Sequence, residues 1–405
     1  MPTGKLIHGF VLLDRLYLRE GTFFVVTDNS SLFPPRDHMI SPLMDIGAGH
    51  NMESTDRELR FITPEEATEV LGENAILIED FSAIVYDTEQ FMSHFYHWWG
   101  EIILGAWRVY SSLNTLPGGP SILPFPARFL LPGVPGNEWK DRAGVNAPLM
   151  RACFPSAEIG KSDHWEDLID LNRTFVFERA MIISRETAHR HPLAGQWAKM
   201  VASTMTVDVA SDFWEPIRKA TLTNMIDYVP ILNHHGHVIA PSQAASDRPL
   251  VTYISRQGGG RRLRQDDHDG LVNALKELER AGLCHFHVPQ MEKMSLNEQL
   301  QLIAKTTILV GVHGNGMTHQ LFMPSSPRST VIEIMYPPSY VFDYEMLARN
   351  VGHRHYAVWN DTLHTYPKGK YHEGIFFAEG FHGESIPVHG QSVAEVVRER
   401  LTARV

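Results

Sequence analysis

The 405-residue chain reads as an α/β protein whose C-terminal half is a doubly wound parallel sheet. Three observations carry this. Between residues 250 and 360, short β-branched, apolar runs alternate with segments of helical periodicity, separated by brief breaks. The apolar run Ile308–Leu309–Val310 hands over to GVHGNGMTHQLFM, residues 311–323, a glycine-bearing turn into a helix. Glu333 interrupts the otherwise apolar strand TVIEIMYP near its C-terminal end, the edge at which open parallel sheets bind ligands.

Taken in order, the strands of this half are expected at 251–255, 284–288, 307–312, 331–335 and 355–358. Between the first two, Leu271, Ala274, Leu275 and Leu278 mark one face of a helix that Gly282 stops. Ser295 followed three residues later by Glu298 makes a capping box ahead of Leu296, Leu300 and Ile303. The first 230 residues are less regular. Strands are expected at 23–27, 75–78, 83–86, 128–131 and 180–184, with helices over 89–112 and 211–227 and a proline-rich loop over 116–135. The aperiodic stretch 233–249 suggests a linker. The expected domains are therefore 1–235, 236–380 and a C-terminal helical segment, 381–405, whose candidate packing surface is the N-terminal domain.

Composition narrows the function. The formal charge of −11 is wrong for a general nucleic-acid binder, which neutralises phosphates with a broad basic face. Cys153 and Cys284 lie too far apart for a disulfide framework, and both are expected as free thiols. No apolar stretch approaches the roughly 18 residues of a membrane span, and no signal or anchor is visible. Asn-x-Ser/Thr sequons at Asn29, Asn172 and Asn360 are about as many as chance supplies.

Two constellations bear chemistry. The first is an anion pocket. The strand LVTYIS runs into Ser255–Arg256, a glycine turn and Arg261, Arg262 and Arg264. Arginine forks suit a diphosphate, backbone N–H groups around Gly314 and Gly316 and the imidazole of His313 suit its oxygens, and an acid at a strand end suits ribose hydroxyls. The second is the helix EQFMSHFYHWWGEIILGAWRVY, in which His94, His97 and Glu101 share a stripe. That stripe has three readings: a packed helix with satisfied histidines, a metal site, or a catalytic base with its partner, flanked by Trp98 and Trp99 as walls for a sugar ring. The polar cluster Arg185, His189, Arg190 and His191 is expected as surface packing.

These blocks resemble glycosyltransferase family 61, whose members include plant xylan-decorating transferases, animal O-linked and O-mannose GlcNAc transferases and many fungal proteins. The resemblance rests on four motifs in the family's order: His97–Trp98 with Glu101; Ser255–Arg256 with Arg261 and Arg262; Gly311-Val-His313-Gly314-Asn315-Gly316-Met-Thr318; and Glu333–Ile334. Asn315 stands where the family commonly has alanine. The resemblance implies a GT-B fold of two Rossmann-like domains facing a cleft, the C-terminal one binding the nucleotide. It implies inverting transfer from a UDP-sugar to a glycan or glycoprotein hydroxyl, without a metal or other cofactor, in the lumen of the secretory pathway. Arg256, Arg262, His313, Gly314, Asn315, Gly316 and Glu333 would hold the nucleotide, and Glu101 with His97 would serve the reacting end, Glu101 as base. The alternatives are a metal-dependent hydrolase built on His94, His97 and Glu101, and a non-catalytic nucleotide- or sugar-binding homologue.

Overall fold

The computed structural model describes residues 5–47, 53–120 and 122–403. Met1–Gly4 at the start of the chain, Ser121 of the expected loop and Arg404–Val405 of the expected tail helix lie outside them. The chain divides into two compact units, Met1–Trp214 and Glu215–Val405, each with its own sheet.

The first unit is built on β1 (Lys5–Ile7), β2 (Phe10–Arg19), β3 (Thr22–Val26), β4 (Leu59–Ile62), β5 (Ala75–Val85), β6 (Arg128–Leu130), β7 (Glu158–Gly160) and β8 (Thr174–Ile183), in the order β4-β3-β2-β8-β5-β6-β7 with β1 paired to β2. Strands β8, β5, β6 and β7 are mutually parallel, whereas β2 lies antiparallel to both β8 and β3. The two strands expected at 75–78 and 83–86 are one. Glu79–Asp80 reads as a break in sequence but is a bulge, with Asp80 at φ 65°, its N–H donated to Glu178 at 2.8 Å, and a register shift between Ile78 and Phe81. Only the second half of β5 is buried, and it leads into the helical segment that carries His97.

In the second unit, a small hairpin of β9 (Ile231–Leu232) and β10 (Val238–Ala240) precedes β11 (Leu250–Ile254), β12 (His285–His287), β13 (Thr306–Val312), β14 (Thr330–Ile334), β15 (Arg354–Trp359) and β16 (Thr362–His364). The order is β12-β11-β13-β14-β15-β16, parallel except for β16. Every residue of β13 and β14 is buried, as a sheet covered on both faces requires. After β11 the chain goes outward to β12 and returns on the other side as β13. This makes the C-terminal ends of β11 and β13 a topological switch point.

The helices follow the periodicity. Leu271, Leu275 and Leu278 of Gln265–Arg280 are buried, each contributing roughly 1.5–3 kcal/mol. Ser295 and Glu298 form the expected reciprocal cap. The tail helix Gly390–Thr402 packs on Gln265–Arg280 within the second unit. Gly390 is the reason, since a Cβ there would lie 2.5 Å from Leu271 Cα, and Val393, Val397 and Leu401 join the same core. The boundary also falls earlier than 235. The helix Glu215–Ile226 belongs to the second unit, with Arg218 Nε donating to Phe322 O at 3.2 Å. The expected linker holds the turn and second strand of the β9–β10 hairpin, turned at Gly236 with φ +79° and pinned by Thr307 Oγ1 donating to Gly236 O at 2.8 Å. Among the described residues, no helix is long and apolar enough to cross a membrane.

Candidate active site

In the second unit the loops after β11 and β13 meet at the switch point. Arg256 lies so close over Gly314 that a Cβ at position 314 would sit 1.5 Å from Arg256 Nη1. Only glycine admits the guanidinium there. Arg256 Nε donates to Arg261 O at 3.3 Å, closing the arginine loop on itself, and Gln257 braces that loop through Leu263. Burial and then the charge of Arg261 push the Arg256 guanidinium below its usual range, and no carboxylate pairs with either arginine among the described residues. An incoming anion would relieve both effects.

His313 continues the β13 ladder, donating its backbone N–H to Ile334 O at 2.9 Å, and its ring sits 5.0 Å from Tyr344 and 5.1 Å from Phe381. Its Nδ1 is 2.5 Å from Glu333 Oε1, and His355 Nε2 is 2.8 Å from Glu333 Oε2. Glu333 is fully buried, and although burial pushes its carboxyl up, the two imidazoles hold it below its ordinary value. The expectation that Glu333 binds ribose is therefore corrected: both oxygens are engaged and neither faces solvent. It holds the Nδ1 side of His313, and no partner of His313 Nε2 is seen among the described residues. His355 was missed. The signal was present as a polar residue inside the apolar strand HRHYAVW, two positions from the register partner of Glu333 and so on the same face.

Arg262, expected at the nucleotide, has an acidic partner in this structure. It pairs with Glu384 at the surface, and the second cation beside Arg256 is Arg261. Asn315 opens the expected helix, which is a 3-10 helix over Asn315–Phe322, and its Oδ1 accepts from Thr318 Oγ1 at 3.3 Å. Gly316 lets that helix lie on β11, with Ile254 Cγ2 3.3 Å from where a Cβ would be.

In the first unit, Tyr96–Ile103 forms a π-helix in which every residue except His97 is buried. Trp98 and Trp99 are core residues at 0% exposure, not walls for a sugar. Gly105, one turn on, allows Phe10 of β2 to pack within 2.4 Å of a notional Cβ, which fixes the helix to the sheet. Glu101 Oε2 accepts from His97 Nδ1 at 2.6 Å and from Arg185 Nη1 at 2.5 Å, and Oε1 accepts from Met200 N at 3.1 Å. Arg185 also donates through Nε to Asp87 at 3.1 Å. Burial pushes the Glu101 carboxyl up, but Arg185 and then His97 outweigh it and hold the group well below the carboxylate range. Glu101 is thus a weak base with no free oxygen toward solvent, and it is equally unsuited to bind a metal. His97, about a quarter exposed, keeps Nε2 outward while Glu101 holds Nδ1.

Arg185 and Asp87 were not foreseen as parts of this array. Arg185, expected at the surface, is 2% exposed. A signal existed: Ser184–Arg185 follows β8 as Ser255–Arg256 follows β11, and Asp87 follows the buried end of β5, the strand parallel to β8. Cys153 and Cys284 are buried thiols outside any disulfide, as expected.

The model of the family described as Glycosyltransferase 61 matches residues 95–332, more than half of the chain and inclusive of both constellations except Glu333 and His355 beyond its end and Asp87 and His94 before its start. The chain is also similar to the EGF domain-specific O-linked N-acetylglucosamine transferase of Drosophila melanogaster, 29% identical over 132 residues, which are 33% of this chain and 24% of that protein. The match thus spans about a quarter of that curated relative's length.

Proposed function

We propose, from the premise that this chain belongs to the glycosyltransferase 61 family, that it transfers a sugar from a UDP-sugar to a hydroxyl of a glycan or glycoprotein, with inversion and without a metal. The observation that carries this is the unpaired arginine cradle on Gly314 beside the Glu333-oriented His313, placed at a switch point where parallel sheets hold nucleotides. The fold proposed is GT-B, with the second unit holding the donor and the first serving the acceptor.

In the transfer, His97 Nε2 takes the proton of the acceptor hydroxyl as its oxygen attacks the anomeric carbon. The bond from that carbon to the β-phosphate oxygen breaks, and UDP departs with the electron pair. Glu101 keeps the His97 proton on Nδ1, leaves Nε2 free to accept, and stabilises the imidazolium that forms, while Arg185 and Asp87 hold Glu101 in place. Arg256, Arg261 and an N–H of His313 meet the charge on the diphosphate, the task a metal performs elsewhere. The activity for which the Drosophila relative is named favours N-acetylglucosamine as the donor sugar, with a pentose such as xylose as the other candidate. The secretory-pathway lumen is the proposed location.

A panel of UDP-sugars incubated with the purified chain in EDTA tests this, with released UDP as the readout. One donor is expected to release UDP well above the others. Release from no donor would contradict the activity, and release restored only by a divalent ion would contradict metal independence.

A further inference from the structure

The segment after the cradle is held at both ends. Tyr340 and Phe376 exchange two backbone hydrogen bonds of 2.8 Å, Arg262 N donates to Gly383 O at 3.3 Å, and Ile386 N donates to Arg262 O at 3.1 Å. Gly380 adopts φ +99°, and a Cβ there would meet the Tyr336 ring at 2.8 Å. A segment so tethered has little freedom to hide its side chains, yet it leaves Phe376 52% and Phe377 55% exposed.

The rings have a definite arrangement. Phe377 and the exposed His382 are near parallel, 13° apart, with centroids separated by 6.4 Å. Phe381 meets both edge-on, at 5.1 Å and 79° to Phe377 and at 4.9 Å and 83° to His382. The three rings form one cluster with aromatic faces toward solvent, against which a planar ring packs at about 3.5 Å. Phe381 links the cluster to the cradle: it lies 5.1 Å from the His313 ring and 5.5 Å beneath the Arg261 guanidinium. Aromatic faces at one end and cations at the other suit a molecule that joins a planar heterocycle to an anion.

We propose that the cluster of Phe377, Phe381 and His382 stacks the base of the nucleotide donor, making Phe377 a specificity residue of the same site. This rests on the donor assignment above. Phe377 is exposed and its truncation leaves the core intact, so the fold is expected to survive.

The test is titration calorimetry of UDP and of inorganic pyrophosphate against the wild-type chain, Phe377→Ala and Phe377→Trp. Loss of one stacked base should weaken UDP about five- to a hundredfold in Phe377→Ala, leave pyrophosphate unchanged, and be reversed by Phe377→Trp. UDP affinity within about twofold of wild type in Phe377→Ala, with pyrophosphate still bound, would overturn the stacking and leave the cradle standing. Equal loss of UDP and pyrophosphate would also overturn it, since the ring would then only shape the loop. A wild-type chain that binds neither ligand would overturn the donor assignment, and the stacking with it.

Discussion

His97→Ala is expected to lower sugar transfer about a hundred- to ten-thousandfold while UDP affinity stays at the wild-type value. His97 is the one residue of Tyr96–Ile103 that is not buried, and its Nδ1 is committed to Glu101. Removing the ring removes a proton acceptor without touching the cradle, so kcat should fall and donor binding should not. Glu101→Gln gives the companion result. It keeps the shape but loses the charge that stabilises the imidazolium, so transfer should fall while the fold persists. Glu101→Ala is the wrong variant, because it strips Arg185 of a buried partner at a cost of roughly 3–5 kcal/mol. A wild-type transfer rate in His97→Ala would show that this imidazole is structural.

Arg256→Ala is expected to slow transfer by about ten- to a thousandfold and to weaken UDP as well. Its guanidinium is pushed down by burial and by Arg261, an unfavourable arrangement that an anion reverses. Gly314→Ala should reproduce much of the defect with every charged residue still present, because its Cβ would land 1.5 Å from Arg256 Nη1 and expel the side chain from the cradle. Circular dichroism and the steady-state rate measured on the same preparations separate this from misfolding. Transfer at the wild-type rate in Arg256→Ala would remove the arginine from the site.

Much of the second unit was legible in the sequence because its signals are local. A buried parallel strand is a short apolar run, a capping box is four residues, and Leu271, Leu275 and Leu278 announce one helix face. All five parallel strands fall within a residue or so of their expected positions. The first unit was less legible because its sheet mixes antiparallel β2 into a parallel set and because Glu79–Asp80 hides a bulge inside β5.

The motif residues were legible as candidates, but their contacts were not all readable, since these depend on distant parts of the chain. Spacing joins His97 to Glu101, whereas the capture of Glu101 by Arg185 and Met200 N comes from chain 84 and 99 residues away. In the same way Glu333 looked like a ligand residue on its strand. Only the neighbouring strand supplies His355, which occupies the second oxygen and turns the carboxylate into a support for His313. Arg261 and Arg262 are adjacent in sequence, and Glu384, far along the chain, draws one of them away.

A structure of the chain crystallised with UDP tests the central claim most directly. The diphosphate is expected against the Arg256 guanidinium and the backbone at Gly314–Gly316, with a phosphate oxygen at hydrogen-bond distance from His313 Nε2. A diphosphate bound elsewhere, with Arg256 and His313 uncontacted, would contradict it.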